Sequence, residues 1–164
     1  MKALIFELRP EALREEGLVA AVRKQADRIV ARDEITVEVN GPNVPVVLPA
    51  PMEEELYRWS QEALANAVNH AQASRIAIDI QVPDRDERLL TLEVTDDGVG
   101  FDPSLSRPGH LGLTTMAARA DRLGGTFEVR SAPGAGSTVL VKVPLETNRD
   151  ATSRGERPAS ESHQ

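Results

Sequence analysis

The sequence predicts an α/β (α+β) fold, a two-layer sandwich in which a mixed, mostly antiparallel sheet of about five strands is covered on one face by three helices. Two patterns carry that prediction. Three long segments place apolar residues at helical spacing, and the segments between them alternate apolar and polar residues with period two. Strands with one apolar and one polar face need cover on one side only. With 164 residues and 40 % hydrophobic content, the chain has material for one core and one domain.

Met1–Leu8 reads as the end of a helix broken at Arg9-Pro10, because the residue before a proline is driven out of helical geometry. Residues 1–10 are accordingly expected to close a preceding element or to be a linker. From Glu11 to Arg32, Leu13, Leu18, Val19, Val22, Ala26, Ile29 and Val30 recur at helical spacing against a charged side, which predicts one amphipathic helix. Ile35, Val37 and Val39 alternate with polar residues as a strand. Asn40-Gly41-Pro42-Asn43 is expected to turn into a second short strand at Val44–Leu48, kept to a sheet edge by Pro45 and Pro49. The helix predicted from about Pro51 to Gln72 sets Met52, Leu56, Trp59, Ala63, Ala67 and His70 on one face and Glu62, Asn66 and Asn69 along its border.

Arg75–Val82 and Leu89–Thr95 alternate around a turn and predict an antiparallel hairpin. A polar segment from Asp96 to Gly109 then leads to a helix at about Leu111–Leu123, which stops at Gly124-Gly125. Thr126–Arg130 and Thr138–Val143 predict a second hairpin around Pro133-Gly134-Ala135-Gly136. Residues 146–164 carry no apolar period and are expected to be a disordered polar tail, which leaves 11–145 as the folded domain.

Composition narrows the function. A net charge of −7 and five aromatic residues leave no basic, stacking surface for nucleic acid. No run approaches the ~18 apolar residues of a membrane span, and the N-terminus lacks a secretory leader pattern. A soluble, cytoplasmic domain without membrane contact is expected, whether or not its parent protein is anchored. The absence of cysteine excludes disulfides, zinc clusters and thiol nucleophiles.

Four segments carry the candidate chemistry, and phosphate is the obvious ligand for one of them, the glycine-bearing stretch before the Leu111 helix. Glu62 and Asn66, four apart, put a carboxylate and a carboxamide on the rim of a buried helix face. Asp96-Asp97-Gly98-Val99-Gly100-Phe101 delivers a carboxylate at a strand end beside glycines that let the backbone wrap a ligand, and such a carboxylate can accept from an exocyclic amine. Gly109-His110-Leu111-Gly112-Leu113 precedes a helix whose first N–H groups can hold an anion. Pro133-Gly134-Ala135-Gly136-Ser137-Thr138 opens the last strand. Each is explained separately as an edge pair, an Asp-Gly turn, a helix cap or a hairpin turn; their order and structural context together are not. No G-K-[ST] loop is present, which excludes a P-loop site.

The ordered set resembles the Bergerat-fold (GHKL) ATPases shared by gyrase, heat-shock chaperones, histidine kinases and MutL. The wording QEALANAVNHA, DDGVGF, GHLGLTTMAARADRLGG and SAPGAGSTVLVKVPL is similar to the catalytic ATP-binding domain of DesK-like and nitrate-sensor histidine kinases, from about Met1 through Leu145. The resemblance implies ATP and Mg²⁺ as cofactors, with Asn66 giving an oxygen to the metal and Glu62 orienting or deprotonating a water beside it. It implies that Asp96 accepts from the adenine amine, that Gly98 and Gly100 admit the ring, and that Ser137 supports Asp96 through a water. It further implies that Leu111, Gly112 and Leu113 close over the phosphates, with 102–109 as a short mobile lid. Asn69, His70, His110 and Thr138 complete the implied nucleotide contacts, His70 standing equally well as a packed core histidine. The chain departs from the family pattern at Asn69, where Lys or Arg is common, and at Ala117-Ala118, where Arg-Glu is common.

None of His70, His110 and His163 has the helical His-acid context of a phosphoacceptor. The resemblance therefore implies a catalytic domain that transfers the ATP γ-phosphate to a histidine on a dimerisation domain outside this chain, and from there to a response regulator. By itself it is expected not to autophosphorylate. Two other readings share the fold: a serine kinase of the anti-sigma-factor type, and a non-catalytic nucleotide-binding interaction module.

Overall fold

The computed structural model of the protein describes residues 11–43, 46–83, 88–105 and 111–145, without the side chain of Leu111. The expected helix end before Pro10, the tail from 146 and the first two residues of the expected strand Val44–Leu48 lie outside the described residues.

The helix predicted from Glu11 to Arg32 is two helices, α1 (Glu11–Glu16) and α2 (Leu18–Arg32). Gly17 separates them at φ 87° and ψ −179°, a backbone geometry essentially reserved to glycine. β1 (Thr36–Asn40) follows, then α3 (Ala50–Asn69), β2 (Arg75–Gln81), β3 (Leu89–Asp96), α4 (Leu111–Arg122), β4 (Thr126–Ser131) and β5 (Ser137–Pro144). The second edge strand is absent among the described residues: 46–48 are irregular, and Val47 is 96 % exposed. Pro49 caps α3 immediately afterwards, which leaves no length for a ladder.

The sheet runs β1-β2-β3-β5-β4. β1 and β2 pair in parallel, with α3 as the connection a parallel pair needs. Every other neighbouring pair is antiparallel, including the two predicted hairpins. Among the described residues the helices are four rather than three, because of the break at Gly17.

Periodicity explains the core. Ile76, Ile78 and Ile80 of β2, Leu90, Leu92 and Val94 of β3, and Val139, Val141 and Val143 of β5 face one way and are buried. α3 lays Leu56, Trp59, Ala63, Leu64 and Ala67 onto that face. Trp59 meets Phe127 of β4 edge-on, with ring centroids 6.3 Å apart and planes at 76°. α4 adds Met116 and Ala120, both fully buried. The opposite sheet face is mostly polar; Leu89 is exposed on it, and Leu140 is buried between its register neighbours Glu93 and Glu128. Among the described residues, no helix is long and apolar enough to cross a membrane.

Candidate functional site

Ala63, Ala67 and Ala71 recur every fourth residue on the sheet-facing side of α3 and its end. Methyl groups there cannot fill the space down to Val94 and Val139, and a cavity of about 270 Å³ remains between helix and sheet. Leu113 of α4 closes one side, and Val99, Gly100 and Phe101 form a lip. Polar groups stand at the rim: Asn66, His70, Asp96 and Ser137.

Sheet register brings the rim together. Asp96, Ser137 and Ser131 occupy one rung across β3, β5 and β4, all on the core face, at the point where the apolar rows end. The Asp96 carboxylate accepts from the Gly98 N–H at 2.9 Å. Burial pushes its pKa up, while the N–H groups of Gly98 and Ser137 pull it back and the neighbouring charge of Asp97 adds to the rise. The result is an acceptor at the mouth of an apolar slot.

Three segments interlock around that acceptor. Val99 N–H donates to the Ala71 carbonyl at 2.7 Å, and Gly134 N–H to the Val99 carbonyl at 2.6 Å. A Cβ on Gly98 would fall onto the Ala71 carbonyl, and one on Gly100, at φ 64°, onto that of Ala132, so both glycines are required by close backbone approach. Asp97 faces away from the cavity and fastens the start of β2: it accepts from Ser74 N–H at 2.8 Å, Ser74 Oγ at 2.7 Å and Arg75 N–H at 2.9 Å. Those donors, the Ser74 hydroxyl foremost, hold its carboxyl below the usual value.

A second polar edge borders the cavity. Asn66 Nδ2 lies 3.8 Å from Met116 Sδ, and Gly112 packs so closely on Glu62 and Asn66 that a Cβ there would fall onto Glu62 Oε1. Glu62 and Asn66 supply two oxygen donors. Among the described residues no cluster of three or more Asp, Glu or His could cage an ion. The pair thus fits Mg²⁺, which takes one or two protein oxygens together with phosphates and water.

Of the sequence-predicted residues, Asn66, His70, Asp96, Gly100, Leu113 and Ser137 line the cavity, with Gly98 beneath its lip and Glu62 and Gly112 on the adjoining edge. His70 is not a core residue: α3 ends at Asn69, His70 caps it exposed, and Gln72 at φ 51° turns the chain toward β2. Asn69 is exposed outside the cavity lining. Thr138 points to the opposite sheet face, 3.1 Å from the hydroxyl of Thr95. His110 and the side chain of Leu111 lie outside the described residues. Sequence reasoning missed the apolar lining of Val94, Phe101 and Val139, and the fasteners Asp97 and Ser131.

A model of the family described as histidine kinase-, DNA gyrase B-, and HSP90-like ATPase matches residues 52–147. An uncharacterized sensor-like histidine kinase of Chloroflexus aurantiacus is 32% identical over 154 residues, covering 90% of this chain and 26% of that protein. The sensor histidine kinase LiaS of Bacillus subtilis is 31% identical over 158 residues, covering 93% and 42%. Among solved structures, the blue-light activated histidine kinase of Erythrobacter litoralis superposes with a TM-score of 0.66 at 26% identity, covering 81% of this chain and 43% of that one. The chain spans less than half the length of these relatives.

Proposed function

The chain belongs to the family of histidine kinase-, DNA gyrase B-, and HSP90-like ATPases, and on that premise we propose that it is the ATP-binding catalytic domain of a two-component sensor histidine kinase. The observation that carries this reading is the Asp96 carboxylate at the mouth of an apolar slot floored by alanines. A flat base fills such a slot, and an exocyclic amine meets the acceptor. Ser137 sits beside it, and Gly98 and Gly100 keep the lip thin.

The triphosphate then runs along the Glu62–Asn66 edge toward the N-terminus of α4, the end at which the helix dipole favours negative charge. Asn66 and Glu62 would hold Mg²⁺ there, which would supply neutralisation of phosphate charge. The chain contributes orientation: the base is fixed by the rung of Asp96 and Ser137, and the phosphates are aimed by α3 and α4. The names of the relatives as sensor histidine kinases support a histidine acceptor on a dimerisation domain, followed by a response regulator.

Calorimetric titration of ATP and ADP, with and without Mg²⁺, tests the site. Asp96→Asn should lose binding of both nucleotides, and Asn66→Ala mainly the Mg²⁺-dependent part, by about tenfold or more. Unchanged ADP affinity in Asp96→Asn would overturn the adenine assignment. Transfer is tested separately, by mixing the chain with radiolabelled ATP and a dimerisation domain bearing a phosphoacceptor histidine.

A further inference from the structure

Three hydrogen bonds converge on one small hydroxyl that borders the cavity without lining it. Ser131 Oγ accepts from the Phe101 N–H at 2.9 Å, donates to the Gly136 carbonyl at 2.9 Å, and lies 2.9 Å from Ser137 Oγ. A serine hydroxyl has one proton and two lone pairs. The Phe101 amide can only donate and the Gly136 carbonyl can only accept, so the single proton of Ser131 is committed to Gly136. The third contact must then run from Ser137 to Ser131, with Ser137 the donor.

That direction has a chemical consequence at the rim. With its proton turned toward Ser131, the Ser137 hydroxyl offers only lone pairs to the cavity, next to the Asp96 carboxylate, which also offers only lone pairs. We propose that Ser131 is a specificity-determining positioning residue, which fixes the proton direction of Ser137 and thereby makes the Asp96–Ser137 stretch of the rim an all-acceptor edge selective for a 6-amino purine over a 6-oxo purine. This rests on the reading that the cavity takes an adenine nucleotide. A 6-oxo group would meet two acceptors and no donor, and buried polar groups left unpaired in this way discriminate strongly.

The test compares ADP with inosine diphosphate, which carries a carbonyl oxygen where ADP has its amino group, by calorimetry on the unmutated chain and on variants. Ser131→Ala frees the Ser137 proton to turn toward the 6-oxo group, and the ADP preference should fall about fivefold to tenfold. Ser131→Thr keeps the hydroxyl and should restore the preference. In a Ser137→Ala background, Ser131→Ala should leave the ratio unchanged, because no hydroxyl remains to orient. Equal weakening of both nucleotides in Ser131→Ala, with the ratio intact, would show a merely structural role and overturn the inference while leaving the proposed function standing. Failure of the unmutated chain to bind either nucleotide would overturn both.

Discussion

Ala67 shows how much of the site depends on what a side chain lacks. It is buried, faces the sheet, and stands beside a space that neighbouring side chains do not fill. In Ala67→Leu the larger side chain enters existing space, so the fold should lose no more than about 1 kcal/mol, while nucleotide binding disappears. Denaturant melts and calorimetry on the same preparation separate the two effects. The spacing of Ala63 and Ala67 on an apolar face was legible in the sequence, but a stripe of alanines there reads equally as tight helix packing. Only the position of the sheet decides between them. Thr138 is a different case. Val139, Val141 and Val143 already place the odd-numbered residues of the last strand on the core face, so the alternation itself assigns Ser137 inward and Thr138 outward. Ser131 carried no such signal, because its role arises from register with a strand beyond a turn.

At the level of elements, the seam between α3 and α4 sets the geometry of the Glu62–Asn66 edge. Near one end Gly112 packs on Glu62 and Asn66; farther along, Arg119 Nη1 meets Glu55 Oε2 at 2.8 Å, with Arg122 at 3.6 Å from the same oxygen. The Arg119 and Glu55 side chains are 20% and 27% exposed, so the pair is only partly screened. Glu55→Gln leaves Arg119 without its anion and should lower stability by about 1–2 kcal/mol, read from urea midpoints. The helices and strands around this seam were foreseeable from their periods, as was the stop of α4 at paired glycines. Two features were not. The break at Gly17 interrupts a pattern whose apolar spacing continues across it, and Val44–Leu48 had the composition of a strand in a stretch that leads directly into a proline-capped helix.

For the molecule as a whole, stability and site share the same fasteners. Asp97 ties the strand-end loop to the start of β2, while the bonds of Val99 and Gly134 tie that loop to the end of α3 and to the β4–β5 turn. Its carboxyl titrates below the ordinary value of 3.8 because the Ser74 and Arg75 donors favour the charged form. A depressed folded-state pKa contributes stability that is present above the unfolded value and lost as pH falls through the folded one. Asp97→Ala should therefore lower the thermal midpoint at neutral pH and flatten the loss of stability below about pH 4, relative to the unmutated chain. A thermal series from pH 7 to pH 3 gives both; parallel curves would contradict the assignment. The outlines of the sandwich were legible because each strand declares its buried face, whereas the interlocking of three loops belongs to no single stretch of sequence.

The edge-on meeting of Trp59 and Phe127 joins α3, which carries the Glu62–Asn66 edge, to β4, which ends at Ser131. Trp59 is the one tryptophan of the chain and is 1% exposed. Its fluorescence consequently comes from a single dry place between those two elements, and the protein carries an internal optical gauge of their separation that needs no label.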